Sequence, residues 1–164
     1  MEFSVIEKLS NDLRKNIYNK IPHINNGGCG IFAIYLYNVL SKLGYNPEIK
    51  VIYSSGYDSK VFDNQISEYN QSNVEKSALS SWGHFYVKIG DFFIDANGIT
   101  ENPLYGQYSY YYLSKQSMDI NILKDLCSKK YKHYWNPMFD RKSQRSRLYR
   151  KLRYLENKYK NQVV

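Results

Sequence analysis

Apolar residues recur every three to four positions at the start of the chain: Phe3, Ile6, Leu9, Leu13 and Ile17. That period predicts an amphipathic helix over residues 2–19, ended before Pro22. It is expected to pack on the core and to carry no chemistry. A denser apolar run, Ile31 to Leu43, follows Asn25-Asn26-Gly27-Gly28 and stops at Gly44. Ala33, Leu36, Tyr37, Leu40 and Leu43 make one face, and Ile31, Phe32, Ile34 and Val39 widen it. Residues 28–43 therefore read as a helix buried on most sides, with Gly44 as its stop and Pro47 barring continuation. Glu48–Tyr53 reads as a strand. Residues 54–81 are polar, and a segment of that length implies a short helix near Val61–Asn70 or a lid over a site.

Two β-rich runs then flank Gly90-Asp91, which reads as a tight hairpin turn. With Gly90 and Asp91 as the central pair, His84 falls opposite Asn97 and Tyr86 opposite Asp95. Side chains two apart share a face, so one hairpin presents His84, Asp95 and Asn97 together. Residues 104–113 alternate loosely, as a strand or an aromatic loop. Residues 119–131 read as a helix with Ile122, Leu123, Leu126 and Cys127 inward. Trp135-Asn136-Pro137 is a break, and residues 140–160 read as a terminal helix with Leu148, Leu152, Leu155 and Tyr159 on one stripe.

The helix beginning near residue 28 puts Cys29 in its first turn, where free N–H groups and the helix dipole favour a thiolate. Adding His84 and Asp95 completes a nucleophile, a base and a group that orients the base. In this reading His84 takes the Cys29 proton, and Asp95, or Asn97 in its place, holds the imidazole. The Cys29 backbone N–H supplies one oxyanion donor. The second is expected from the preceding loop, with His23, Asn25 and Asn26 as candidates. Trp82 stands as a wall of the site or as core. Cys127, within a helical stretch and without a placed histidine, reads as a small buried hydrophobe.

Three short motifs together resemble the papain-like fold, closest in style to its transglutaminase-like and NlpC-type branches. They are Gly27-Gly28-Cys29-Gly30-Ile31-Phe32-Ala33, His84-Phe85-Tyr86-Val87, and Phe92-Phe93-Ile94-Asp95 after the Gly90-Asp91 turn. The resemblance covers roughly residues 25–98. It implies an α+β domain in which the nucleophile helix packs on a small antiparallel sheet, with N- and C-terminal helices. It also implies thiol acyl-transfer chemistry without a particular substrate; the favoured function is a cysteine hydrolase or acyltransferase acting through an acyl-cysteine on an amide, isopeptide or thioester bond of a peptide or protein substrate, peptide or isopeptide cleavage foremost. Papain itself has Gln six positions before its cysteine; this chain has His23 there.

The 164 residues suit one domain, divided as a catalytic part, 1–140, and a basic helix or tail, 141–164. Residues 141–160 hold nine Lys or Arg and one acid, Glu156, which is the whole of the +8 net charge. Either that helix is a solvated face, or Arg141, Lys142, Arg145, Arg150 and Lys151 contact nucleic acid or an acidic protein. A binding module working through this helix is the alternative function. With only two cysteines, no signal-like start and no apolar run near 18 residues, a cytoplasmic protein without a membrane segment is expected. No Cys-x-x-Cys or His-x-x-x-His occurs, so neither metal nor other cofactor is expected. The abundance of Asn, Lys, Tyr and Ile suits an AT-rich bacterium or its phage.

Overall fold

The computed structural model describes residues 3–21, 24, 28–54, 63–64, 66–67, 82–106, 109–127 and 142–160. The N-terminal apolar period produces α1 (Phe3–Leu13), which continues as a π-helical turn over Arg14–Tyr18. Leu9, Leu13 and Ile17 are its buried stripe. α2 (Cys29–Lys42) begins directly at the cysteine, and Phe32 N–H closes its first turn onto the Gly28 carbonyl at 3.0 Å. It buries Ile31, Phe32, Ala33, Leu36, Val39 and Leu40, as its nearly continuous apolar sequence requires.

The strands are β1 (Glu48–Ser54), β2 (Trp82–Ile89), β3 (Phe92–Asp95), β4 (Gly98–Thr100) and β5 (Tyr111–Leu113). They form one antiparallel sheet in the order β4-β3-β2-β1-β5. The β2–β3 register is Val87↔Ile94, Lys88↔Phe93 and Ile89↔Phe92, which centres the turn on Gly90-Asp91 as expected. Alternation then divides the sheet. Ile49, Val51, Val87 and Ile94 face the core shared with α2, whereas Ile52, Tyr86 and Phe93 form a second cluster closed by Leu104, Tyr111 and Leu113. Two strands escape the sequence pattern. β4 is too short to alternate, and among the described residues of 104–113 only Tyr111–Leu113 joins the sheet, by pairing with the distant β1.

α3 (Ile120–Leu126) starts at Asp119, whose carboxylate accepts the Asn121 N–H at 2.7 Å. Cys127 is its C-cap rather than a mid-helix residue, and residues 128–131 of the expected helix lie outside the described ones. α4 (Lys142–Lys160) buries Leu148, Leu152, Leu155 and Tyr159 in the core shared with α1 and α2, so it packs on the domain instead of trailing from it. Tyr159 Oη donates to Asp12 Oδ2 at 2.8 Å, and Lys158 Nζ joins the same oxygen. Of the short helix expected near Val61–Asn70, residues 63–64 and 66–67 are helical, with Ile66 buried; the rest lies outside the described residues. No described helix is long and apolar enough to cross a membrane.

α3 meets α2 closely. A Cβ built on Gly30 would lie 2.7 Å from Cys127 Sγ, 3.6 Å from Phe85 Cδ2 and 3.7 Å from Leu123 Cδ1. Gly30→Ala therefore overpacks this junction, at about 1–3 kcal/mol, against a gain of at most about 1 kcal/mol from helix propensity. A net loss of roughly 1 kcal/mol is expected from urea unfolding. In a Cys127→Ala background the sulfur is gone, and Gly30→Ala should no longer destabilise. An equal loss in both backgrounds would refute the steric account.

Candidate active site

α2, β2 and β3 each deliver one residue to a single cluster. Cys29 comes first in α2, so the backbone N–H groups of the first turn have no partner within the helix. His84 lies near the start of β2, beside an irregularity. β1 pairs Ile52 with His84 but Tyr53 with Trp82, which leaves Gly83 as an extra residue on β2. A bulge bends its strand and re-aims the adjacent side chain, and here that side chain is the imidazole. Asp95 ends β3, on the same face of the sheet as Tyr86 and Phe93.

His84 is fully buried and Asp95 is buried at the edge of the site. His84 Nε2 and Asp95 Oδ2 are 2.9 Å apart. With Nε2 so engaged, Nδ1 is the ring nitrogen the carboxylate leaves open, and Cys29 is the imidazole's second electrostatic partner. The Tyr86 ring meets the imidazole edge-on, with centroids 4.7 Å apart. The carboxylate is held from its other side by Asn97 N–H, donating to Oδ1 at 2.8 Å. Both oxygens of Asp95 are thus committed, one to the imidazole and one to the main chain.

The electrostatics follow from these contacts. For the Cys29 thiol, burial is the largest influence and pushes the pKa up. The hydrogen bond and charge of His84, joined by the N–H groups of Phe85 and Gly30, outweigh it and bring the thiol below its ordinary value. For His84, burial is again the largest influence and pushes the pKa down. The hydrogen bonds to Asp95 and Cys29, and their charges, reverse it and push the imidazole up to about 9. The two shifts favour a thiolate–imidazolium pair. Its window opens as pH rises through the lowered thiol pKa and closes as pH rises through about 9.

Cys29, His84 and Asp95 are brought together. Asn97 is not opposite His84: β3 ends at Asp95, the chain turns through Ala96 and Asn97, and the Asn97 side chain is exposed. Its share in the site is its main-chain N–H. His23, Asn25, Asn26 and Arg141 lie outside the described residues, as do the side chains of Trp82, Lys142 and Arg145. Arg150 is exposed and Lys151 half-exposed on α4, whose buried stripe faces the core. Among the described residues, no group of three or more His, Cys, Asp or Glu forms a metal-binding cluster. A recess of about 460 Å³ borders Asp95 and is lined also by Tyr18, Tyr86, Asn97, Thr100 and Tyr105.

Two main-chain donors are absent from the sequence reading, Phe85 N–H at the sulfur and Asn97 N–H at the carboxylate. Main-chain donors leave no residue-type signal. Gly83 inside an otherwise bulky strand is the one local sign of the bulge. No family model, no curated protein and no solved structure matches the chain.

Proposed function

We propose that this protein is a thiol hydrolase or acyltransferase of papain-like or transglutaminase-like architecture, acting on an amide, isopeptide or thioester bond. One observation carries the reading: a fully buried imidazole holds a carboxylate at Nε2, 2.9 Å away, and is coupled electrostatically to a thiol at the start of a helix. A buried histidine kept only for packing has no need of an acid on one side and a nucleophile on the other.

The steps follow from the donors present. Cys29 sulfur, as thiolate, attacks the substrate carbonyl carbon and forms the S–C bond. The oxygen takes up negative charge, which the Cys29 N–H, without a partner inside the helix whose first turn it opens, would stabilise. His84, as imidazolium, gives its Nδ1 proton to the leaving nitrogen or sulfur while the bond to that group breaks. The acyl-cysteine is then attacked by water, or by an amine acceptor, whose proton passes to Nδ1. Thiolate and imidazolium are regenerated. Asp95 holds Nε2–H throughout, which keeps Nδ1 available.

The test is acylation by p-nitrophenyl acetate, followed by nitrophenolate release and peptide mapping. Expected is an acetyl group on Cys29, not on Cys127, with turnover abolished in Cys29→Ala. Cys29 should also react with iodoacetamide faster than Cys127 at pH 7. Equal, slow modification of both thiols and no Cys29-dependent release would overturn the reading.

A further inference from the structure

The N-terminal helix, which shows no chemistry of its own in the sequence, reaches the candidate site through Ser10. β4 is an edge strand, and an edge presents N–H groups that must find partners outside the sheet. Asp95↔Gly98 closes the β3–β4 turn and Ile94↔Ile99 is the next pair, so Ile99 N–H points away from β3. Ser10 Oγ accepts that N–H at 3.0 Å. The next residue toward the turn is Gly98, at φ +120°, and a Cβ there would stand 2.5 Å from Ser10 Oγ. Glycine is required on both counts, backbone angle and space. α1 is therefore seated directly on the backbone at the foot of the turn.

From that foot the chain of contacts is short. Gly98 follows Asn97, whose N–H holds Asp95 Oδ1 at 2.8 Å; Asp95 Oδ2 meets His84 Nε2 at 2.9 Å. Asp95 also borders the 460 Å³ recess, which Asn97, Gly98 and Ile99 line with it. The recess beside Asp95 leaves room for the carboxylate to turn toward solvent if the β3–β4 turn shifts.

We propose that Ser10 is a positioning residue for Asp95: its hydroxyl fixes the β3–β4 turn so that one carboxylate oxygen stays on Asn97 N–H and the other on His84. The proposal rests on the acyl-transfer reading above and makes α1 part of the machinery that sets the state of the His84 base. A purely structural Ser10 predicts lower thermal stability and nothing else. A positioning Ser10 predicts a changed titration at the far end of the contacts. The titratable groups against the imidazole, among the described residues, are Cys29 of α2, Asp95 of β3 and Tyr86 of β2.

The experiment is the pH dependence of Cys29 alkylation by iodoacetamide in the full chain, read by peptide mapping, for wild type, Ser10→Ala, Ser10→Thr and Ser10→Val. Wild type should show one rise as the thiolate forms and a second near pH 9 as the imidazolium is lost. Ser10→Ala and Ser10→Val should move the second transition down by about half a pH unit or more, because a misplaced carboxylate no longer supports the imidazolium. Ser10→Thr, the same shape as valine but with the hydroxyl, should keep the wild-type profile. Profiles of Ser10→Ala and Ser10→Val that superimpose on wild type would overturn the proposal and leave the base reading standing. A wild-type profile with a single ordinary thiol transition would instead remove the base reading itself. Should Ser10→Ala and Ser10→Val fail to fold, Ser10→Cys, near-isosteric and a weaker acceptor, carries the same comparison; an unshifted profile there counts against Ser10.

Discussion

His84→Ala is expected to slow alkylation of Cys29 at pH 7 by about 100-fold and to leave the rate at Cys127 unchanged. The nucleophile in this reaction is the thiolate, and an unassisted cysteine is only a few per cent ionised at neutral pH. In this protein burial alone makes matters worse, because it is the largest influence on Cys29 and opposes ionisation. His84 supplies two of the four opposing influences, its hydrogen bond and its charge; Phe85 N–H and Gly30 N–H supply the others. Taking away the imidazole leaves two neutral N–H dipoles against burial, and the thiol returns to its neutral form at pH 7. The rate should recover above pH 9, where any thiol ionises, which separates a lost thiolate from a collapsed site. Iodoacetamide kinetics with peptide mapping checks this. A His84→Ala protein that is folded and still labels rapidly at pH 7 would show that the helix start and the main-chain donors suffice, and that His84 is not the base.

Asp95→Asn is expected to lower acyl turnover by about 10³-fold or more, and to do so more severely than Asp95→Ala. The direction comes from the two hydrogen bonds of the carboxylate. Asn97 N–H requires an acceptor at Oδ1. The new amide keeps its oxygen there, so its NH₂ group takes the place of Oδ2 and faces His84 Nε2. Two donors cannot face each other, so Nε2 becomes the acceptor and the ring proton moves to Nδ1. The neutral imidazole then presents N–H, not a lone pair, toward Cys29 and cannot take its proton. The imidazolium is disfavoured as well, so the His84 pKa falls from about 9 and the alkaline limb of the rate profile moves to lower pH. The sign follows from linkage. A group whose pKa is raised in the folded protein adds stability below its ordinary pKa and loses it as pH rises through the raised one. Wild type should therefore lose this increment as pH rises through about 9, and Asp95→Asn should show no such loss. Turnover of p-nitrophenyl acetate and urea unfolding between pH 6 and 10 measure both. Equal turnover in Asp95→Asn and wild type would remove Asp95 from the site.

Much of the architecture was legible because local pattern and local structure agree. The 3.6-residue period at Leu9–Ile17 and at Leu148–Tyr159 reports faces that are buried. Gly90-Asp91 between two β-rich runs determines the hairpin register, since a two-residue turn leaves no freedom in the pairing that follows. That register places His84 and Asp95 on one face. The same extrapolation fails at Asn97, because it assumes the strand continues. β3 stops at Asp95, and the two-residue turn into β4 gives the Asn97 position to the main chain. Cys127 was read rightly as inward-facing, but its contact with Gly30 depends on how α3 lies across α2, which no local pattern encodes.

Ser10 illustrates the remaining gap. It is polar on the apolar stripe of α1, one turn after Ile6 and three residues before Leu13, and that misfit was the only clue in the chain. Its meaning needs the partner, an edge-strand N–H 89 residues away. The sequence by itself determined the helix that begins at Cys29, the hairpin, and the three side-chain types able to form a nucleophile, a base and an orienter. The tertiary structure decided which acid meets the imidazole, at which nitrogen it does so, which main-chain donors lie against the two side chains, and which helix stands behind the turn. The reason is physical. Amphipathic periods and tight turns are settled by neighbours within a few residues, whereas the ends of strands, bulges and edge contacts are settled by groups the chain brings together only when it closes on itself.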